Sequence, residues 1–350
     1  MRETTNIRQG EELNEQTLAA YLTQKLNPSG QIEISQFLAG SSNLTYLIKV
    51  GGEEYVLRRP PFGNQVKTAH DMNREFQVLS KLSKVYSPAP KPLLFCDDEN
   101  VIGSEFYLME RKRGLIIRGK APEELTGSPE LQKRVCESFI DNLAQLHSLD
   151  YEAAGLGDLG KPEGYNRRQV EGWSKRYCNA KTDKWPELET TIEWLGQNTP
   201  PESGAALIHN DYKFDNVMLD PADLTKITAV LDWEMVTIGD PLMDLGTTLG
   251  YWMSGDVPKE MRETPFNPRV LMENISRHEL AERYAEKSGR DISDLLFYYV
   301  FGTFKIAVIA QQIYARYKKG FTSDERFAQF SLFVATLGKI AQQTIENKKI

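Results

Sequence analysis

Leu207-Ile-His-Asn-Asp-Tyr-Lys-Phe-Asp-Asn216, followed by Val230-Leu-Asp-Trp-Glu234, is the part of this chain that decides its fold. The first segment sets His209, Asp211, Lys213 and Asn216 in the order His-x-Asp-x-Lys-x-x-Asn, directly behind an apolar pair. The second ends a β-type run, Ile227-Thr-Ala-Val-Leu231, on Asp232. Short apolar runs that stop at polar residues read as buried strands. Two such strands bracketing one loop are expected to gather the Asp211 carboxylate, the Asn216 amide and the Asp232 carboxylate.

The spacing is that of a phosphoryl-transfer catalytic loop, in which the Asp receives the proton of the attacking hydroxyl and the Asn binds Mg²⁺. Such chemistry asks for positioning and charge neutralisation more than for covalent work. Asp211 is therefore the expected base, and Asn216 and Asp232 supply the hard oxygen ligands that suit Mg²⁺. Lys213 is expected to reach the γ-phosphate of ATP as a point charge. His209 reads as a hydrogen-bonding residue of the loop.

The pair LIHNDYKFDNVMLD and VLDWEMVTIGDPLMDLG resembles the aminoglycoside phosphotransferase and choline-kinase superfamily, and within it the acyl-CoA-dehydrogenase-associated branch. Trp233 after the metal Asp, and Gly239-Asp-Pro-x-x-Asp-Leu245 behind it, are that superfamily's habit. The resemblance runs from about residue 30 to about 340. It implies an α+β, two-lobed protein-kinase-like fold, with a small antiparallel-sheet N-lobe (1–110) and a mainly helical C-lobe (111–350). It also implies ATP and Mg²⁺ as cofactors and a small hydroxylated molecule as the phosphate acceptor.

The chain has 350 residues, 40% hydrophobic and 26% charged, with a formal net charge of -7. That length exceeds one ordinary core, and the composition is that of a globular protein. Net acidity argues against nucleic acid or an anionic membrane as a partner. The first residues, Met-Arg-Glu-Thr-Thr-Asn, lack the apolar stretch of a signal peptide, so a cytoplasmic location is expected. The run Leu295 to Ala310 is interrupted by Lys305 and falls short of the roughly 20 residues of a membrane span, so it reads as a buried helix. Cys96, Cys136 and Cys178 are odd in number and widely spaced, which leaves small buried hydrophobes in a reducing compartment as their simplest role.

Taken in order, residues 11 to 26 have a helical rhythm. Ile32 to Leu38, Thr45 to Val50 and Glu54 to Arg58 read as strands, with Gly51-Gly52 as the turn between the last two. Ala39-Gly-Ser-Ser-Asn-Leu44 lies where a phosphate-covering loop belongs. It has one glycine and by itself equally fits a plain hairpin; its likeness to the Gly-x-Ser-Asn-x-Thr-Tyr loop of the resembled branch assigns the backbone of Gly40, Ser41, Ser42 and Asn43 to the phosphates.

Arg58 takes the phosphate-anchoring position of Tyr55-Val-Leu-Arg-Arg59, unless Arg59 is the inward residue and the strand register is off by one. Residues 68 to 85 spell a helix capped by Thr68 and Asp71, which places Glu75 to pair with Arg58; a solvated Glu is the alternative. Glu105 to Arg111 is the last strand of the first lobe. By resemblance, its backbone holds adenine at Met109, Glu110 and Arg111, while Arg111-Lys-Arg113 reads as a solvated charge run.

Pro129 to Asp150 is the expected central helix of the second lobe, with His147 packing at its end. Residues 155–201 carry Trp173, Tyr177, Trp185 and Trp194 between helical stretches. Asp240 with Pro241 starts another helix as its N-cap. Asp244 has a fold-organising role by resemblance, and helices at 268 to 288, 292 to 317 and 323 to 345 complete the lobe. A nucleotide-binding pseudokinase or regulatory module is the competing reading, against which stand the base and both metal ligands. A protein kinase would need a long activation segment closing on an Ala-Pro-Glu element behind the metal Asp; the stretch from Asp232 to Asp244 is too short for one, and the chain's Ala121-Pro122-Glu123 lies ahead of the catalytic loop. Aminoglycoside, choline, homoserine, a sugar or a hydroxyacyl thioester all fit the motifs as acceptor.

Overall fold

The computed structural model describes residues 3–27, 30–38, 43–62, 71–118, 121–252, 259–262, 271, 273–322 and 325–350. The chain divides into two units, Met1–Arg113 with Ala229–Glu234, and Gly114–Thr228 with Met235–Ile350. The boundary lies shortly after the expected residue 110. The segment bearing Asp232 groups with the first unit, which a linear division of the chain does not foresee.

The first unit holds β1 (Thr4–Thr5), α1 (Glu15–Leu26), β2 (Glu33–Phe37), β3 (Leu44–Val50), β4 (Glu53–Arg59), α2 (Met72–Leu82), β5 (Pro92–Cys96), α3 (Glu99–Ile102) and β6 (Phe106–Glu110). Its strands form one six-stranded antiparallel sheet in the order β1-β2-β3-β4-β6-β5, in which Thr4 and Thr5 add an edge strand by pairing with Phe37 and Gln36. Gly51 and Gly52 turn the β3–β4 hairpin with φ of 58° and 83°, the left-handed values that glycine adopts without strain. Successive side chains point to opposite faces, so the sheet has two distinct coats. Leu57, Phe106 and Leu108 face a core shared with Leu18 and Leu22 of α1 and Ile102 of α3. The other face carries Arg58 and Tyr107, and there Phe76 of α2 packs on Phe95 and Tyr107. Asp71 caps α2 by accepting from the Arg74 N–H at 2.8 Å; Thr68, the other expected cap, lies outside the described residues.

The second unit is mainly helical: α4 (Glu123–Thr126), α5 (Pro129–His147), α6 (Tyr165–Ala180), α7 (Pro186–Gln197), α8 (Pro241–Gly250), α9 (Lys259–Arg262), α10 (Arg277–Ser288), α11 (Leu295–Lys318) and α12 (Phe330–Asn347). Between α7 and α8 run four short strands, β7 (Ala206–Ile208), β8 (Val217–Asp220), β9 (Asp223–Val230) and β10 (Thr237–Gly239). β7 pairs with β10 and β8 with β9. The strands ahead of His209 and Asp232 therefore do not pair with each other, as two strands bracketing one loop would. Ser276 and Glu279 form a reciprocal capping box that starts α10; residues 268–270, where the expected helix opens, lie outside the described residues.

α11 runs 24 residues, so it is long and apolar enough to cross a bilayer, and the expectation that it is too short does not hold. What marks it as a core helix is that 78% of its apolar window is buried inside the protein. Its axis passes α8 at Gly302 and Gly246. Cys96 and Cys136 are buried as expected, whereas Cys178 is exposed, because it falls on the outer side of α6 between buried Tyr177 and Ala180.

Candidate active site

In the second unit, β7 delivers the chain into the loop 209–216, and the backbone polar groups at its start have identifiable partners. The Asp244 carboxylate, fully buried on the first turn of α8, accepts the N–H of His209 at 2.7 Å and of Asn210 at 2.8 Å. The Asn210 carbonyl accepts from Lys305 Nζ at 2.7 Å. The Asp211 N–H donates to His209 Nδ1 at 3.3 Å, and the Tyr212 carbonyl accepts from the Thr248 hydroxyl at 3.0 Å. Buried backbone left unpaired would cost about as much as a lost hydrogen bond, so this accounting is what keeps the loop in one conformation. Asn210 needs that support, since its φ of 68° is uncommon outside glycine.

Asp211 is the focus of the loop. Its Oδ1 accepts from Lys213 Nζ at 3.0 Å and from the Tyr251 hydroxyl at 3.1 Å. The Asn216 amide nitrogen donates to the Asp211 carbonyl at 2.9 Å and to its Oδ2 at 3.0 Å. Burial keeps the Tyr251 hydroxyl far above its ordinary range, with the Asp211 charge adding to it, so Tyr251 stays a proton donor to the carboxylate. Burial works against the Lys213 charge, but Tyr251 and the Asp211 carboxylate hold its pKa above the ordinary value. The structure thus places Lys213, expected on a phosphate, on the Asp211 carboxylate. Burial pushes the neighbouring Asp215 carboxyl up to about 6 against Lys213 and Arg118.

His147, expected as a packing residue, joins the polar network: Nε2 lies 3.2 Å from Asp244 Oδ2 and Nδ1 lies 2.7 Å from the Tyr284 hydroxyl. Burial lowers its pKa despite the Asp244 carboxylate, so it sits there as the neutral imidazole. Asp240 does more than cap α8. Besides the Leu242 N–H at 2.9 Å it accepts from the Ser203 N–H at 2.8 Å, the Asn166 amide at 2.9 Å and the Tyr298 hydroxyl at 2.8 Å.

In the first unit, Arg58 is the inward arginine. Its Nη1 lies 2.9 Å from Glu75 Oε1 and its Nη2 3.1 Å from Asp232 Oδ1, with Glu234 Oε2 at 3.9 Å. Arg59 points to the opposite face, where it donates to the Ile102 carbonyl at 2.8 Å and lies 3.7 Å over the Phe62 ring. Glu75 is 2% exposed, and burial raises its pKa although Arg58 opposes the shift, so the solvated alternative is excluded by position. Burial opposes the Arg58 charge, but Glu75 and the other groups around it hold that charge firmly.

Asp232 has φ of 68°, a backbone conformation that sets its carboxylate apart from the strand before it. Trp233 is buried, donates its indole N–H to the Val230 carbonyl at 2.8 Å and packs edge-on to Tyr86. Asn43 donates its side-chain amide to Glu234 at 3.0 Å; Gly40, Ser41 and Ser42 lie outside the described residues. Met109 lies on the Arg58 face of the sheet, paired with Val56, and Glu110 accepts from the Lys91 N–H at 2.7 Å. The run Arg111-Lys112-Arg113 is not simply solvated. Arg111 and Arg113 pair with Glu54, and Lys112 with Glu110 at 3.0 Å.

Each unit carries oxygen donors of the kind that suit a hard cation, though among the described residues no cluster of three or more His, Cys, Asp or Glu side chains forms a metal site by itself. Three carboxylates, Glu75, Asp232 and Glu234, lie around the Arg58 guanidinium, and Arg74 donates to the Glu234 carbonyl at 3.2 Å. Asn216 commits its amide hydrogens to Asp211, which leaves its side-chain oxygen as the atom available to a hard metal. The linear sequence did not reveal Lys305, Tyr251, Thr248 or Glu234. Only Lys305 left a trace, as a lone charge in an apolar run.

Residues 33–265 match the family described as Phosphotransferase enzyme family (APH), and the likeness to relatives extends over nearly the whole chain. Acyl-CoA dehydrogenase family member 11 of Gallus gallus is 35% identical over 345 residues, covering 96% of this chain and 44% of that protein. The Homo sapiens protein of the same name is 36% identical over 341 residues, covering 93% and 42%. The chain therefore spans less than half the length of the curated relatives it matches. Among solved structures, an aminoglycoside phosphotransferase homologue from Ralstonia eutropha superposes with a TM-score of 0.81 at 29% identity, covering 96% of this chain and 99% of that one. The aminoglycoside phosphotransferase APH(4)-Ia, in a ternary complex with AMP-PNP and hygromycin B, shares the fold at a TM-score of 0.62 and 16% identity, covering 94% and 98%. With its antiparallel N-terminal sheet, helical C-terminal part and match across residues 33–265, the chain has the kinase-like fold and belongs to the phosphotransferase enzyme family.

Proposed function

We propose that this protein is an ATP-dependent phosphotransferase that moves the γ-phosphate to a hydroxyl of a small molecule. The observation that carries the reading is the Asp211–Asn216 pair, in which the metal-ligand amide is hydrogen-bonded to the carboxylate of the base at 3.0 Å. Asp211 takes the proton of the acceptor hydroxyl as its oxygen bonds to the γ-phosphorus, and the bond from that phosphorus to the β-phosphate oxygen breaks to leave ADP. Arg58, positioned by Glu75, pairs with the phosphates. Asn216 in the second unit and Asp232 in the first each offer an oxygen suited to Mg²⁺, which would supply neutralisation of phosphate charge.

For the acceptor, we favour an anionic alcohol such as a hydroxyacyl thioester over a polycationic aminoglycoside, with Arg176 of α6 as an exposed cation whose charge reaches this region of the second unit. The relatives' name, acyl-CoA dehydrogenase family member 11, points the same way.

The test is ADP release from MgATP across hydroxyacyl thioesters, choline, a sugar and an aminoglycoside, for the wild type and Asp211→Asn. Stimulation by one class, cut by roughly 10²- to 10⁴-fold in the variant, is the expected result. Equal rates in the two proteins would remove Asp211 from the chemistry.

A further inference from the structure

We propose that Lys305 is a positioning residue of the catalytic loop, its ammonium holding the peptide that joins Asn210 to Asp211; the inference rests on the phosphotransferase reading above. Lys305 lies mid-way along α11, 2% exposed, in a run of buried neighbours that includes Phe304, Ala307 and Val308. Its Nζ lies 2.7 Å from the Asn210 carbonyl oxygen and 3.4 Å from the side-chain oxygen of the same residue. An ammonium in such surroundings is costly unless it is paired, so the loop carbonyl and the nearby carboxylates are what retain it.

The carbonyl it holds belongs to the peptide plane that also carries the Asp211 N–H. Fixing that oxygen fixes the rotation from which the Asp211 side chain projects. The other bonds of Asn210 leave this one task undone. Its N–H is taken by Asp244, its amide nitrogen donates to the Met235 carbonyl at 3.0 Å, and its amide oxygen accepts from the Tyr165 hydroxyl at 3.4 Å. A left-handed, non-glycine residue persists where its surroundings over-determine it, and Lys305 supplies the contact on the carbonyl side.

The contact depends on how closely α11 approaches. One turn before Lys305, Gly302 meets Gly246 of α8 so tightly that a Cβ on Gly302 would lie 2.1 Å from the Gly246 carbonyl oxygen. The same helix α8 carries Asp244 and Thr248, so two helices in backbone contact grip the loop from its N–H side and its C=O side.

The charged groups facing Lys305 are Asp244 from α8, Asp211 and Lys213 from the loop, and Arg176 from α6. Burial dominates and lowers its pKa to about 8, with the two carboxylates opposing. Above that pH the charge-assisted bond to Asn210 becomes a weaker neutral one. The reaction is then expected to lose rate on an alkaline limb that belongs to Lys305.

The experiment follows phosphate release from MgATP, with water standing in for the acceptor, from pH 6.5 to 9.5. Asp211→Asn is run first: if it matches the wild type, the phosphotransferase reading fails and the positioning role falls with it, whereas the Lys305 variants below judge the positioning role alone. With that reading in hand, Lys305→Met is expected to lower kcat roughly 10- to 100-fold at pH 7.5 with KM for MgATP nearly unchanged. Lys305→Arg, whose charge does not titrate here, is expected to lose the alkaline limb.

Wild-type kcat in Lys305→Met, or an unshifted limb in Lys305→Arg, overturns the proposal. If neither variant folds, lysine side-chain NMR of the wild type decides. A lysine titrating in step with the kcat limb supports the proposal, and the absence of such a lysine defeats it.

Discussion

The backbone of Gly302 runs against the backbone of Gly246 at a distance that admits no side chain: a Cβ on Gly302 would lie 2.1 Å from the Gly246 carbonyl oxygen, and one on Gly246 would lie 2.1 Å from the Tyr298 carbonyl oxygen. Neither obstacle is the movable end of a side chain. Gly302→Ala is therefore expected to destabilise the protein by about 3 kcal/mol or to prevent folding, at the upper end of overpacking costs. Urea denaturation checks this, and an unchanged midpoint would contradict the packing described.

Glu75 and Arg58 form a buried pair in which Arg58 keeps a second partner in Asp232. Glu75→Ala leaves the guanidinium partly paired, so the expected loss is about 2 to 4 kcal/mol, somewhat below that of isolating a buried charge outright. MgATP affinity is expected to fall with it, because Arg58 is then drawn wholly to Asp232. Calorimetric titration with MgATP would show the loss, and wild-type affinity would take Glu75 out of the nucleotide site.

Asp240 is fully buried and faces only donors, from Ser203, Leu242, Asn166 and Tyr298. Asp240→Asn replaces one acceptor oxygen with an NH₂ group pointed at hydrogens. A cost of about 2 to 4 kcal/mol is expected, with Tyr298→Phe costing about 1 kcal/mol. Thermal melts of the two variants at one pH measure the difference, and a reversed order would show that the network is centred elsewhere.

Stability and activity are expected to respond to alkaline pH in opposite directions at Lys305. Burial lowers its folded pKa to about 8 from the ordinary 10.5. Between those values the unfolded chain holds the extra proton, so stability rises with pH through this window. The cost of burying the ammonium is present below about pH 8 and gone above about 10.5, a span worth roughly 3 kcal/mol. Relative to Lys305→Met, the wild type should gain stability from pH 7 to pH 10 in chemical denaturation. A constant difference would mean that Lys305 does not titrate in that range.

Much of the site could be read from residue order, because its chemistry demands particular groups at particular spacings. His209, Asp211, Asn216 and Asp232 carry the phosphotransferase pattern whatever surrounds them, and Gly51-Gly52 and Asp240-Pro241 announce a turn and a helix start through local backbone preference. The residues that hold the pattern in place are another matter. Asp244, His147, Thr248 and Lys305 come from three helices far apart in the chain, with Tyr251 just past the end of α8, and hydrogen bonds of 2.7 to 3.2 Å tie them to one another or to the loop.

The choice between Arg58 and Arg59 shows the same division. Two adjacent arginines are equivalent in sequence, and only the pairing of Arg58 with Tyr107 across the sheet, with Glu75 on that face, tells them apart. By itself the sequence determined the family, the candidate base and the candidate metal ligands, since those follow from chemistry at short spacing. Tertiary structure alone decided which arginine faces inward, where Lys213 rests and what restrains Asn210, since these depend on which faces and helices meet.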